Sequence, residues 1–101
     1  MILYNVTIKI DWSIDASWVE WMKEEHMPEM ISTGCFTHFQ LLRLIEVDDT
    51  EGPTYAAQYY ANSKAFYNQY IEKYSAVQRQ KGFDKWGSLF VAFRTVMQVV
   101  N

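Results

Sequence analysis

The sequence predicts an α+β protein with a ferredoxin-like βαββαβ order, in which a four-stranded antiparallel sheet carries two helices on one face. Strand-like and helix-like segments follow one another along the chain as strand, helix, strand, strand, helix and strand. The length of 101 residues suits one domain and is too short for two, so we expect a single domain over residues 1–101. Half of the residues are apolar, which is enough for a hydrophobic core.

The first strand is predicted over residues 2–10, where apolar and polar side chains alternate. The stretch "DWSID" then offers Ser13 and Asp15 as N-caps of a first helix, whose apolar stripe begins at Trp18. Pro28 disfavours α geometry in the residue before it. We therefore expect this helix to kink or stop near His26.

A β-hairpin is predicted in the middle of the chain. Residues 35–47, "CFTHFQLLRLIEV", are apolar and rich in strand formers, and residues 54–61, "TYAAQYYA", form a second such run. The turn sequence "DDTEGP" separates them. The two runs are therefore expected to pair with each other.

A second helix and a last strand complete the pattern. The helix is capped by "NSKAF", carries aromatic side chains at helical spacing, and ends at Gly82 or Gly87. The last strand lies within residues 88–100, "SLFVAFRTVMQVV".

The second face of the sheet needs a cover. Both alternating sets of side chains in the last strand are largely apolar, with Val91 and Phe93 in one set and Phe90 and Val96 in the other. A sheet that is apolar on both faces predicts a homodimer in which two free sheet faces meet around a two-fold axis. We expect the polar residues of the less apolar set to line that dimer interior, namely Asn5, Thr7, His38, Gln40, Gln58, Tyr60, Arg94 and Gln98.

Composition excludes several classes of function. The net charge of −3 does not suit a nucleic-acid-binding protein. The single Cys35 excludes an internal disulfide and Cys-rich zinc sites. The two histidines, His26 and His38, show no ligand spacing, so no metal or other cofactor is predicted. The start "MILYNVTIKI" is typical of neither a signal peptide nor a membrane span, and we expect a cytoplasmic protein.

Four segments of the chain resemble a bacterial domain-of-unknown-function family, family 4286, within the dimeric α/β-barrel superfamily. They are "ILYNVTIKID", "WVEWMKEEHMPEM", "TYAAQYYA" and "FVAFRTVMQVV". The resemblance implies the ferredoxin-like fold and the dimer. The superfamily includes monooxygenases acting on phenolic or quinone-like substrates, lactone isomerases, haem-handling enzymes and proteins without a known reaction. In several enzyme branches a histidine near the end of the first helix faces the cavity between helices and sheet, and His26 matches that position.

Two interpretations of His26 remain open. Its pKa range suits a general acid or base. Alternatively, it caps the last turn of a helix, where the helix dipole favours the charged imidazole. Trp18 and Met22 suit the core stripe of this helix, whereas Trp21, one turn before Glu25, is expected at the rim of a cavity.

Arginines inside apolar strands require carboxylate partners. For Arg43 we expect an ion pair with Asp48 or one of its glutamate neighbours, Glu46 and Glu51. Arg94, flanked by aromatic side chains, is the better candidate for holding a ligand.

Two functions are therefore considered. The first is binding of a small aromatic or apolar molecule in the cavity between helices and sheet. The second is a cofactor-free enzyme, monooxygenase-like or lactone-isomerase-like, in which His26 is the acid/base. The predicted ligand-binding residues are Trp21, Glu25, His38, Gln58, Tyr60 and Arg94.

Overall fold

The computed structural model describes residues 1–101 and contains one four-stranded sheet. Its strands are β1 (Ile2–Ile10), β2 (His38–Arg43), β3 (Thr54–Ala61) and β4 (Phe90–Gln98). They lie in the order β2-β3-β1-β4, and every neighbouring pair is antiparallel. The predicted ferredoxin-like α+β fold is confirmed.

Strand β2 is shorter than the predicted segment 35–47. It begins at His38, after Cys35 and Phe36 have been buried in the core, and it ends at Arg43. Three residues later Glu46 has a positive φ of 58°, a conformation that no strand residue adopts. The chain therefore leaves the sheet before the turn that was predicted.

The first helical region is continuous from α1 (Asp15–Trp21) to α2 (Met27–Ser32). A short 3₁₀ turn precedes it, and the side chain of Asp11 accepts a hydrogen bond of 2.9 Å from the Ser13 N–H. Neither of the predicted capping residues therefore supplies the cap. The capping residue is Asp11 because the helical region begins with the 3₁₀ turn, which precedes the α-helix.

Of the kink or stop expected near His26, the stop does not occur, because a π-helical turn, Met22–His26, joins the two helices. The N–H of Met27 donates to the carbonyl of Met22, five residues back. In a regular α-helix the proline ring would collide with the carbonyl of Glu24, four residues back, and the wider π turn avoids that collision. The helix therefore continues through Pro28, and His26 is not at its end.

The second helical region is divided into α3 (Lys64–Lys73) and α4 (Ser75–Trp86). Tyr74, with φ −125°, interrupts the helix between them. Of the two glycines predicted to end the helix, Gly87 does so with a φ of 60°, whereas Gly82 lies inside α4. None of the helices has both the length and the apolar character required to cross a bilayer.

The register of the strands decides which side chains meet the helices. Tyr4 and Val6 of β1 are buried beneath the helices, and Arg94 lies opposite Val6 on the same side of the sheet. Gln98, opposite Ile2, also lies on this side. The expectation that Arg94 and Gln98 lie on the free face is therefore wrong, since β4 is apolar on both sides and its composition does not fix its orientation.

The opposite side, here called the open sheet face, carries no helix. It combines polar side chains with apolar ones, and Phe93, Val91 and Leu42 are 67%, 48% and 37% exposed. By the strand register its members are Leu3, Asn5, Thr7, Lys9, His38, Gln40, Leu42, Thr54, Ala56, Gln58, Tyr60, Val91, Phe93, Thr95 and Met97.

Candidate functional site

A cavity of about 70 Å³ lies between the helices and the sheet, here called the helix–sheet cavity. Side chains of β1 and β4 form its floor, among them Tyr4, Ile8 and Phe90. Tyr59 of β3, the first helical region, α3 and α4 form its remaining walls. Twelve of its seventeen lining residues are hydrophobic and none is acidic, so its chemistry is apolar with a few hydrogen-bonding groups.

His26 enters this cavity from the π-helical turn. Its ring stacks on Trp21, with centroids 4.7 Å apart and an angle of 17° between the planes. The pKa of His26 is lowered to about 4, mainly by burial of the ring. The nearby carboxylate of Glu29 acts in the opposite direction and raises this pKa, whereas the charge of Lys81 lowers it further. The imidazole is therefore neutral at pH 7 and can donate one hydrogen bond and accept another.

Three buried polar atoms of the structure have no hydrogen-bond partner, and all three belong to residues of this cavity. They are Nδ1 of His26, Oε1 of Gln78 and Nε1 of Trp86. An unsatisfied buried polar group costs roughly 1–3 kcal/mol. The indole N–H is a donor, the amide oxygen is an acceptor, and the imidazole nitrogen can be either. The set is therefore complementary to a molecule with its own donors and acceptors.

Two arginines also line the cavity, from opposite walls. Arg79 comes from α4, and Arg94 comes from β4. Both are exposed and neither forms an ion pair within the chain. The cavity therefore carries two cationic groups without a protein counter-charge.

Arg43, by contrast, is paired. Its guanidinium lies 3.5 Å from the carboxylate of Asp49 and 5.4 Å from the centre of the Trp12 ring. The partners predicted for it were Glu46, Asp48 and Glu51. The bend of the chain after β2 brings Asp49 into reach instead, so Arg43 belongs to the surface.

The predicted ligand-binding residues are divided between two places. Trp21, His26 and Arg94 line the helix–sheet cavity, whereas the side chain of Glu25 is exposed outside it. The other three, His38, Gln58 and Tyr60, lie on the open sheet face. The six predicted residues therefore do not form a single ligand site. Side chains alternate between the two faces of the sheet along β2 and β3, and those of His38, Gln58 and Tyr60 point away from the helices.

The polar residues on the open sheet face are engaged with one another. The rings of His38 and Tyr60 stack with centroids 4.2 Å apart, and His38 Nδ1 is 2.8 Å from the hydroxyl of Thr37. The amide of Gln58 donates to the side-chain oxygen of Asn5 at 3.3 Å. These polar side chains therefore have partners within the chain.

Four residues of α4 that the sequence did not single out as binding residues line the cavity: Gln78, Arg79, Gly82 and Trp86. They recur at helical spacing of three and four on the side of α4 that faces the sheet. A helix normally covers a sheet with an apolar stripe. The glutamine, arginine and glycine in this stripe are the sequence signal of a cavity.

The arrangement favours binding a small molecule over binding a metal. No group of three His, Cys, Asp or Glu side chains is placed to hold an ion. The walls instead offer aromatic surfaces, with Trp86 meeting Trp21 edge-on at 5.8 Å between ring centres. Flat apolar surfaces beside separate donors and acceptors suit a planar molecule.

This helix-on-sheet arrangement is a ferredoxin-like α+β fold. Residues 1–100 match the model of the family described as domain of unknown function (DUF4286), and the chain belongs to that family.

Among solved structures, the fold is similar to that of an ethyl tert-butyl ether d (EthD) family protein from Bacillus halodurans, with a TM-score of 0.65. The match covers 99% of this chain and 100% of that one at 9% sequence identity. Such a likeness shows a shared fold, and fold alone does not assign an activity. Comparison with curated proteins gives no match.

Proposed function

We propose that the protein binds a small planar molecule in the helix–sheet cavity and does so as a homodimer. The observation that carries the proposal is that all three unpartnered buried atoms belong to residues that line one apolar cavity. Buried polar groups are paired in the great majority of cases. A ligand that bonds to His26, Gln78 and Trp86 removes the cost of leaving them unpaired.

The cavity supports binding better than catalysis by His26. A general acid or base is most effective when its pKa lies near the working pH, and the pKa of His26 is lowered to about 4 by burial. The cavity of about 70 Å³ is also smaller than the roughly 300 Å³ at which ligand pockets begin. We therefore favour a small ligand over the enzymatic alternative.

The dimer is proposed to form through the open sheet face. Val91 and Phe93 on β4 and Leu42 on β2 are exposed there, on the two edge strands of the sheet. A second copy would cover this apolar surface, and the paired polar groups nearby, such as Gln58 with Asn5, can be buried without losing their partners. The helix–sheet cavity lies on the other side of the sheet and stays accessible in such a dimer.

Binding is tested by titrating the full chain with phenol, indole, benzamide and benzoate while following tryptophan fluorescence, since Trp21 and Trp86 border the cavity. We expect at least one compound to give a saturable change. Trp86→Phe keeps an aromatic side chain but replaces the indole and its N–H by a smaller phenyl ring, and we expect it to weaken that binding about three- to tenfold.

The matched control for this titration is Trp12→Phe. Trp12 is exposed, and its N–H donates to the carbonyl of Asp49 at 2.8 Å, outside the cavity. It should leave the affinity unchanged. The proposal fails if no compound in the series binds, or if the two variants change the affinity equally.

A further inference from the structure

The two arginines at the helix–sheet cavity indicate what kind of molecule enters it. Arg79 and Arg94 approach from α4 and β4 and both border the same opening. The charges of both arginines lower the pKa of Tyr70, which also lines the cavity, although burial, the largest effect, raises it overall. Two elements of the fold therefore each bring a positive charge to the border of one cavity.

No protein carboxylate neutralises these charges. None of the cavity-lining residues is acidic, although the chain as a whole carries a net charge of −3. The carboxylate that lies near His26, that of Glu29, is paired with Lys81. An anion placed between the arginines would relieve their mutual repulsion and gain charge-assisted hydrogen bonds.

The rest of the cavity restricts that anion to one with an apolar body. The floor and roof are hydrophobic, with Trp21, Trp86 and Phe90 among them, and the enclosed volume is about 70 Å³. A guanidinium presents a flat fork of N–H groups that matches the planar carboxylate. A compact inorganic anion would leave the apolar walls without a partner.

We infer that the ligand is a small apolar or aromatic carboxylic acid, whose carboxylate lies between Arg79 and Arg94 and whose body lies against the tryptophans. This inference rests on the proposed function, since it names the ligand class of the same cavity. His26, Gln78 and Trp86 hydrogen-bond to the polar groups of the enclosed part. The arginines therefore set the preference for an acid over a neutral molecule of the same shape.

The test compares acids with their amides, which match them in size and shape. Benzoate is titrated against benzamide, and phenylacetate against phenylacetamide, by calorimetry on the full chain at pH 7. We expect the acid of at least one pair to bind tenfold or more tightly than its amide. Arg79→Gln and Arg94→Gln should each reduce this preference to less than threefold.

Arg43→Gln is the control, because it removes an arginine that is paired with Asp49 outside the cavity. It should retain the full preference for the acid. Equal affinities for acid and amide would overturn the carboxylate inference and leave the proposed function standing. Binding of neither member of any pair would overturn both.

Inorganic phosphate serves as the competing anion. If phosphate at equal concentration displaces the acid, the cavity is a general anion site and the inference of an apolar acid is wrong. Failure of phosphate to displace it, together with loss of preference in the two arginine variants, supports the inference.

Discussion

The indole of Trp21 and the imidazole of His26 lie face to face, with ring centres 4.7 Å apart. The π-helical turn permits this stacking, because it carries His26 inside a continuous helix rather than at its end. His26 lines the cavity, and its Nδ1 is buried without a hydrogen-bond partner. Several measurable consequences depend on this buried imidazole and on the walls around it.

We expect the free energy of unfolding to fall between about pH 6.5 and pH 4 because of His26. Its pKa is lowered from 6.5 to about 4 in the folded protein, so the unfolded chain binds the proton first and protonation favours unfolding in this window. The loss from this group reaches up to about 3 kcal/mol at the lower end. Urea unfolding at a series of pH values measures it.

The variant His26→Gln should flatten this pH dependence. The charged groups facing His26, Glu29 and Lys81, remain in that variant. His38→Gln, which removes the histidine on the open sheet face, should keep the wild-type slope. A wild-type slope in His26→Gln would contradict the burial of the imidazole.

Gly82→Ala should stabilise the fold and weaken ligand binding. Gly82 lies inside α4, where alanine is favoured over glycine by about 1 kcal/mol, which corresponds to a rise in Tm of roughly 5 °C. An added Cβ would meet Cη2 of Trp21 at 3.9 Å, an ordinary contact that takes space from the cavity wall. Thermal unfolding and the benzoate titration measure the two effects.

The control for this change is Gly87→Ala. Gly87 has a φ of 60°, so alanine there is strained and should destabilise the protein by about 1 kcal/mol. If Gly82→Ala destabilises the protein as much as Gly87→Ala does, there is no room for a methyl group beside Trp21, and the prediction is wrong.

Phe93→Asp should convert the proposed dimer into a monomer. Phe93 is 67% exposed on the open sheet face, and a buried unpaired carboxylate there would oppose association. Phe83→Asp is the matched control, because Phe83 is 60% exposed but belongs to α4. Sedimentation velocity should give two-chain particles for the wild type and Phe83→Asp. A monomeric wild type would refute the dimer.

Tyr55→Phe should destabilise the packing of the first helix on the sheet. The hydroxyl of Tyr55 donates a 2.5 Å hydrogen bond to Asp15 in α1, which links β3 to the helix that carries Trp21. Loss of a hydrogen bond to a charged group costs about 1.5–3 kcal/mol. Tyr60→Phe, whose hydroxyl forms no such bond, should change the urea midpoint little. Equal effects of the two variants would contradict the link.

The fold was predictable from local patterns. Alternation along β1 and helical spacing in the two helical regions are short-range signals that the tertiary structure retains. The order of these elements along the chain then allows only a few sheet topologies, because connections between consecutive elements are short and crossover connections are right-handed. The family resemblance and the order of the elements both predict the same four-stranded antiparallel sheet.

The candidate site was less predictable for two physical reasons. Strand β4 is apolar on both sides, so only its pairing with β1 shows that Arg94 faces the helices. Gln78 and Trp86 belong to α4, and only the packing of this helix over the sheet shows that they line the cavity. Neither effect appears in the spacing of residues within one element.

The π-helical turn at Met22–His26 has a consequence for comparing this chain with others. Such a turn holds one residue more than the regular helix that spans the same distance. A relative with an unbroken helix would therefore align with this chain only after a one-residue gap within that turn. Without that gap, a histidine paired with His26 in an alignment would point in a different direction from it.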